Sequence, residues 1–163
     1  MAAWQKAATP GMHHQHLAEA AGNWKAMCKM WMKPGTEPQV AELKAVCEPI
    51  LGGRYLVEKI EGSMMQMPFE GMSISGYDNI KGKHTTVWID NMGTGTMLAE
   101  GECTDNCAVI TERAVQTDPA TGKDSKVKIV IRAIDKNKHV FEYYMVNDDG
   151  TEFMTMEITY TRM

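Results

Sequence analysis

The chain reads as all-β: a single antiparallel up-and-down barrel of about ten strands, with a short N-terminal helix capping one end. Three observations predict this. After Gly22 the hydrophobic period changes from helical to alternating, and it stays alternating to the C-terminus. Gly, Asn, Asp and Pro punctuate every junction, and nearly all loops are short enough for hairpins. A flat meander of that length would expose two sheet edges, and closing the sheet on itself removes them.

Taken in order, residues 1–8 read as a flexible extension of a single 1–163 domain. Thr9 and Pro10 suit the N-cap and first turn of a helix. Leu17, Ala20 and Ala21 give that helix an apolar stripe, and Gly22 suits its stop. In "WKAMCKMW", Trp24, Ala26, Cys28 and Met30 share one strand face. The turn "KPGTEP" leads to a strand near 39–48, and "LGG" precedes "RYLVEKIEG". "EGMSISGYD", "HTTVWID", "TMLAEGEC" and "CAVITERAV" follow, separated by "NIKGK", "NMGTG" and "TDN". "KVKIVIRAI", "HVFEYYMV" and "TEFMTMEITYTR" complete the set. In the last strand Met154, Met156, Ile158, Tyr160 and Arg162 are predicted to oppose Phe153, Thr155, Glu157, Thr159 and Thr161.

Bulk composition bounds the function. At 163 residues, 44% hydrophobic and 23% charged, the chain can bury a full single core. Its net charge is −4 and no segment concentrates Lys and Arg, which argues against a nucleic-acid footprint or a polybasic membrane contact. No apolar run is long enough for a membrane-spanning helix. "MAAWQKAATPG" has no signal-peptide character, so a cytoplasmic location is expected and the four cysteines are expected to be reduced thiols. Fifteen methionines are the anomaly. They suit an adaptable core or pocket lining before they suit Cu(I) ligation.

Gly22-Asn23-Trp24 resembles the Gly-x-Trp signature that opens the first strand of lipocalin and calycin barrels. That resemblance implies that Arg162, near the end of the last strand, packs over Trp24 and closes the barrel base. "CEPILGGRYL", "MPFEGMSISGYDN", "TVWIDNMGTG" and "MEITYTR" resemble, in order and over nearly the whole chain, the blocks of a bacterial family, domain of unknown function 1579. The family implies a domain of this size and no established activity. Its usual helix histidine is matched by His14. His13, His16, Cys103 and Cys107 lie outside the family pattern.

Three groups of residues could carry function. His13 and His16 share a helix face and His14 points elsewhere. As metal ligands, His13, His14 and His16 would need help from His84, Glu157 or a cysteine. Cys103 and Cys107 flank a three-residue loop, near enough for a disulfide. No second thiol pair accompanies them, and Cys28 and Cys47 read as core. The third group is a barrel mouth: Met64, Met65, Met67 and Phe69 around Pro68, with Tyr77, Trp88, Asp90 and Met92. Apolar walls with a few polar groups are what small-molecule sites present. Asp90 taken alone reads as the cap of "NMGTG".

The expected function is therefore binding of an apolar or amphipathic small molecule in a cavity lined by Met and aromatic residues. The alternatives are a metal- or haem-binding protein using the histidine cluster, and a homo-oligomeric interaction module with a filled barrel. No cofactor is specified by any motif. Enzymatic activity is the weaker expectation, because Gly-x-Ser-x-Gly, Walker A, Gly-x-Gly-x-x-Gly and His-Glu-x-x-His are all absent.

Overall fold

The computed structural model describes residues 1–163. Helices α1 (Ala2–Ala8) and α2 (Met12–Ala18) precede ten strands. These are β1 (Gly22–Met30), β2 (Gln39–Ile50), β3 (Tyr55–Met64), β4 (Met67–Asp78), β5 (Lys83–Asp90), β6 (Met97–Thr104), β7 (Val109–Thr117), β8 (Asp124–Asp135), β9 (Lys138–Val146) and β10 (Glu152–Arg162). Each strand pairs antiparallel with its sequence neighbour, and β1 pairs with β10 to close the barrel. The sheet has no free edge, as the meander argument requires. No helix is long and apolar enough to cross a membrane.

Cross-strand register fixes what points inward. Trp24, Ala26 and Cys28 of β1 are opposite Ala45, Leu43 and Ala41 of β2, and all six are buried. The same parity continues through Glu58 and Ile60, Ser73 and Ser75, Thr86 and Trp88, Ala99 and Gly101, Glu112 and Ala114, Val127 and Ile129, and Phe141 and Tyr143. Gly101 is needed where β6 meets β7: a Cβ there would sit 1.8 Å from the Thr111 carbonyl oxygen. Gly71 leaves room for the Trp88 indole, whose Cη2 would lie 2.4 Å from an added Cβ.

Three local expectations are corrected. Helix α2 starts at Met12 with Gly11 as N-cap, instead of at Thr9-Pro10. Thr9 is the C-cap of the preceding helix, where its hydroxyl donates to the Gln5 carbonyl at 2.6 Å. The segment ahead of it, Ala2–Ala8, is helical, and Asn79 and Arg54 donate to carbonyls of Lys6, Thr9 and Ala8. In β10 the register shifts between Met154 and Met156. The bulge turns Phe153 inward, opposite Met145, and places Met154 opposite outward Tyr144. The third correction concerns the cysteines: Cys103 and Cys107 are joined in a disulfide, whereas Cys28 and Cys47 are free and buried. The tight β6–β7 turn brings the paired Cα atoms to 4.7 Å, inside the range a disulfide spans.

Candidate functional site

The two ends of the barrel are built differently. At one end α2 lies over the strand ends. Trp24 is 2% exposed and donates its indole N–H to the Ala20 carbonyl at 2.8 Å. The Arg162 guanidinium stacks 4.2 Å from the Trp24 ring. Arg162 also donates to the carbonyls of Ala21, Glu19 and Lys136 at 2.6, 2.9 and 2.9 Å. Gly22, with φ of +130°, permits this approach, since a Cβ there would lie 2.7 Å from the guanidinium. His139 is sandwiched between Trp24 (4.5 Å, edge-on) and Tyr160 (4.3 Å, stacked). Burial holds its pKa down at about 4, so the ring is neutral there.

On the other side of the same end, four side chains from separate segments converge. They are His13 of α2, His84 of β5, Cys103 of β6 and Cys107 of the β6–β7 turn, with one donor atom each, all within 4.8 Å of one another. His13 Nδ1 is 3.2 Å from Cys107 Sγ and 3.7 Å from Cys103 Sγ. Its ring stacks on Tyr77 at 3.8 Å. His84 is 1% exposed, and neither of its ring nitrogens has a hydrogen-bond partner. Burial, followed by the neighbouring His13, lowers its pKa to about 4. These four residues are the ones that could hold a metal.

The histidine trio predicted as ligands is not brought together. His14 is buried and its Nδ1 accepts the Gly11 backbone N–H at 3.0 Å, fixing the first turn of α2. His16 pairs with Glu19 at 3.4 Å. Only His13 enters the cluster. Helical phase, which grouped His13 with His16, could not reveal partners 71 and 90 residues further along the chain, at His84 and Cys103.

The barrel interior carries two apolar clusters. One is built around Trp24, Leu43, Ile60, Phe69 and Tyr160. The other holds Ala99, Ala114, Val127 and Ile129. Phe141, only partly buried, packs against both. Trp88 and Met156 on the first cluster, and Met97, Tyr143 and Met145 on the second, are likewise only partly buried. Two carboxyl groups sit in this interior. Glu58 accepts hydrogen bonds from the Tyr160 hydroxyl at 3.0 Å and from the Cys47 thiol at 3.7 Å. Glu112, 2% exposed, accepts from the Thr86 hydroxyl at 2.9 Å through Oε1, while its Oε2 has no partner. Burial raises both carboxyl pKa values, that of Glu112 to about 7.

The end opposite α2 is where most of the predicted mouth residues gather. Met65 lies in the two-residue β3–β4 turn with Gln66, both in the left-handed region, as a tight hairpin requires. Met67 and Met92 are exposed, whereas Phe69 is buried. The Trp88 indole N–H donates to Asp90 Oδ2 at 2.7 Å, and Asp90 Oδ1 accepts the Met92 N–H at 2.9 Å. Asp90 thus caps the turn and orients Trp88 together. Asn91 joins the two connections through bonds with Glu70 and the Pro68 carbonyl. Tyr77 does not belong to this group. It pairs with His84, about 13 Å along β4 from Ser73, which faces Trp88.

A surface groove of about 640 Å³ lies outside the barrel over β2–β5, with Val46, Val57, Met72 and Ile89 between charged side chains. A comparison with curated proteins finds no match. A family model, described as protein of unknown function (DUF1579), matches residues 9–162. With all ten strands inside that match, the chain belongs to the DUF1579 family.

Proposed function

We propose that the protein binds a small amphipathic molecule in the barrel lumen, entering at the end opposite α2. The observation that carries this reading is the division of the interior packing into two clusters. Two apolar clusters on opposing walls meet only through partly buried side chains, and Glu112, on the strand that carries Ala114 of the second cluster, has an unpartnered Oε2. A filled barrel would form one contiguous core, and an unpaired buried carboxyl oxygen costs about 1–3 kcal/mol unless something donates to it. A ligand with an apolar body and a hydroxyl, amide or ammonium head would satisfy both features. Trp88, Phe141, Met97, Met145 and Met156 would contact the body, and Glu112 the head. Methionine suits such a wall because its side chain adapts to irregular shapes.

The test is titration with a hydrophobic fluorescent dye, alongside native mass spectrometry for a retained small molecule. One dye per chain is expected. Ser73 faces inward opposite Trp88, and Ile74 faces outward on the same strand. Ser73→Phe is expected to abolish dye uptake and Ile74→Phe to leave it unchanged. Equal effects of the two substitutions, or no uptake by the parent protein, would contradict the reading.

A further inference from the structure

The four-residue cluster under α2 carries a separate inference, because none of its residues is among those assigned to the lumen ligand. We infer that His13, His84, Cys103 and Cys107, with both cysteines reduced, form a tetrahedral Cys2His2 site for a zinc-class dication. The argument is geometric. Zn–S of about 2.3 Å and Zn–N of about 2.0–2.1 Å put neighbouring donors in a tetrahedron roughly 3.3–3.8 Å apart. Of the two His13–sulfur separations, 3.7 Å falls in that range and 3.2 Å just short of it. The Cys-x3-Cys spacing on a tight turn is within the range used by zinc sites.

His84 supplies the independent observation. It is almost fully buried, and both ring nitrogens lack any partner. Buried imidazoles rarely go unsatisfied, and each such nitrogen needs an explanation. An ion held between His84 and the two sulfurs would occupy one of them. The ligands also come from α2, β5, β6 and the following turn, so the ion would fasten the helical cap to the barrel wall.

The same two sulfurs form the disulfide described above, so oxidation and metal binding exclude each other. A dithiol reductant gives two electrons and two protons to the Cys103–Cys107 bond, yielding two thiols and its own disulfide. The dication then displaces the two thiol protons to solvent and binds the thiolates. Exchange with a small-molecule disulfide, which accepts the two electrons and two solvent protons to become two thiols, re-forms the Cys103–Cys107 bond and releases the ion.

Cobalt(II), titrated into the full chain, reports the site directly. Reduced protein is expected to take up one equivalent, with intense tetrahedral ligand-field bands and a sulfur-to-cobalt charge-transfer band, both erased by zinc. Oxidised protein is expected to give neither. His13→Ala and Cys107→Ser should each weaken binding by more than the roughly 10–100-fold that loss of an outer-shell partner costs. His16→Ala should change affinity by less than about twofold, because its side chain lies outside the cluster. His13 is on a short helix outside the barrel, so its removal leaves the sheet intact even if His84→Ala fails to fold. Cobalt bound without the sulfur band, binding indifferent to Cys107→Ser, or equal losses from His13→Ala and His16→Ala would each overturn the assignment. So would reduced protein that binds neither ion.

Discussion

Two tryptophans, one at each end of the barrel, are held in different ways. Trp24 is buried under Arg162, wedged against His139 and hydrogen-bonded to the turn after α2. Trp88 points into the same lumen from the other end, lies over Gly71 and is only partly buried. Its one polar bond goes to Asp90, the last residue of β5 at the end opposite α2. The first indole is fixed from several sides. The second is only partly buried, and the proposed ligand would cover its remaining face.

The comparison predicts unequal costs. Trp24→Ala should destabilise by about 3–5 kcal/mol in denaturant unfolding, because it empties a fully packed site and strands Arg162. Trp88→Ala should cost less than half as much while reducing dye affinity more. If the two substitutions cost the same, both ends are equally packed and the lumen reading weakens.

The lumen carboxyl gives the next largest effect, and its sign is defined. Glu112 titrates near 7 when folded and in the ordinary carboxylate range when unfolded. Between about pH 4.5 and 7 the unfolded chain has lost this proton and the folded chain keeps it. Stability from this group is therefore undiminished below the unfolded value and falls as pH rises through the folded one. Glu112→Gln should be more stable than the parent at pH 8 by on the order of 3 kcal/mol, with the difference vanishing near pH 4. Buried His139 slopes the other way, so only the difference between the two proteins isolates Glu112. A pH-independent difference in melting would refute the assignment.

Smaller effects sharpen the picture. Gly71→Ala should cost about 1–3 kcal/mol and perturb Trp88 fluorescence, since the new methyl meets the indole. On the outer face, the Lys25–Glu42 pair at 2.8 Å is half exposed. Glu42→Ala should change stability by less than about 1 kcal/mol.

The fold was legible because period-two alternation and turn residues are local signals. They carried through β1 to β10, failing where the β10 bulge reversed Phe153 and Met154 and where Cys107 and Ala108, read as strand, lie in the β6–β7 turn. Helix starts were harder, since Thr9 and Gly11 both suit caps and the competition is settled by what each turn contacts. The open-end group was readable because Met65, Phe69, Trp88 and Asp90 lie in adjacent connections. Tyr77 was misplaced because the strand length separating the two ends depends on register. The cluster of His13, His84, Cys103 and Cys107 is non-local in every pair except the cysteines. A histidine buried without a partner is visible only in three dimensions.

Methionine methyl NMR tests the central claim most directly. With ε-methyl labelling, addition of the hydrophobic dye should shift and broaden the signals of Met97, Met145 and Met156, which line the lumen. Met32 and Met163, exposed on the outside, should stay put. Shifts confined to outer methionines such as Met32 and Met163, with the lumen methyls unmoved, would contradict a ligand-binding barrel.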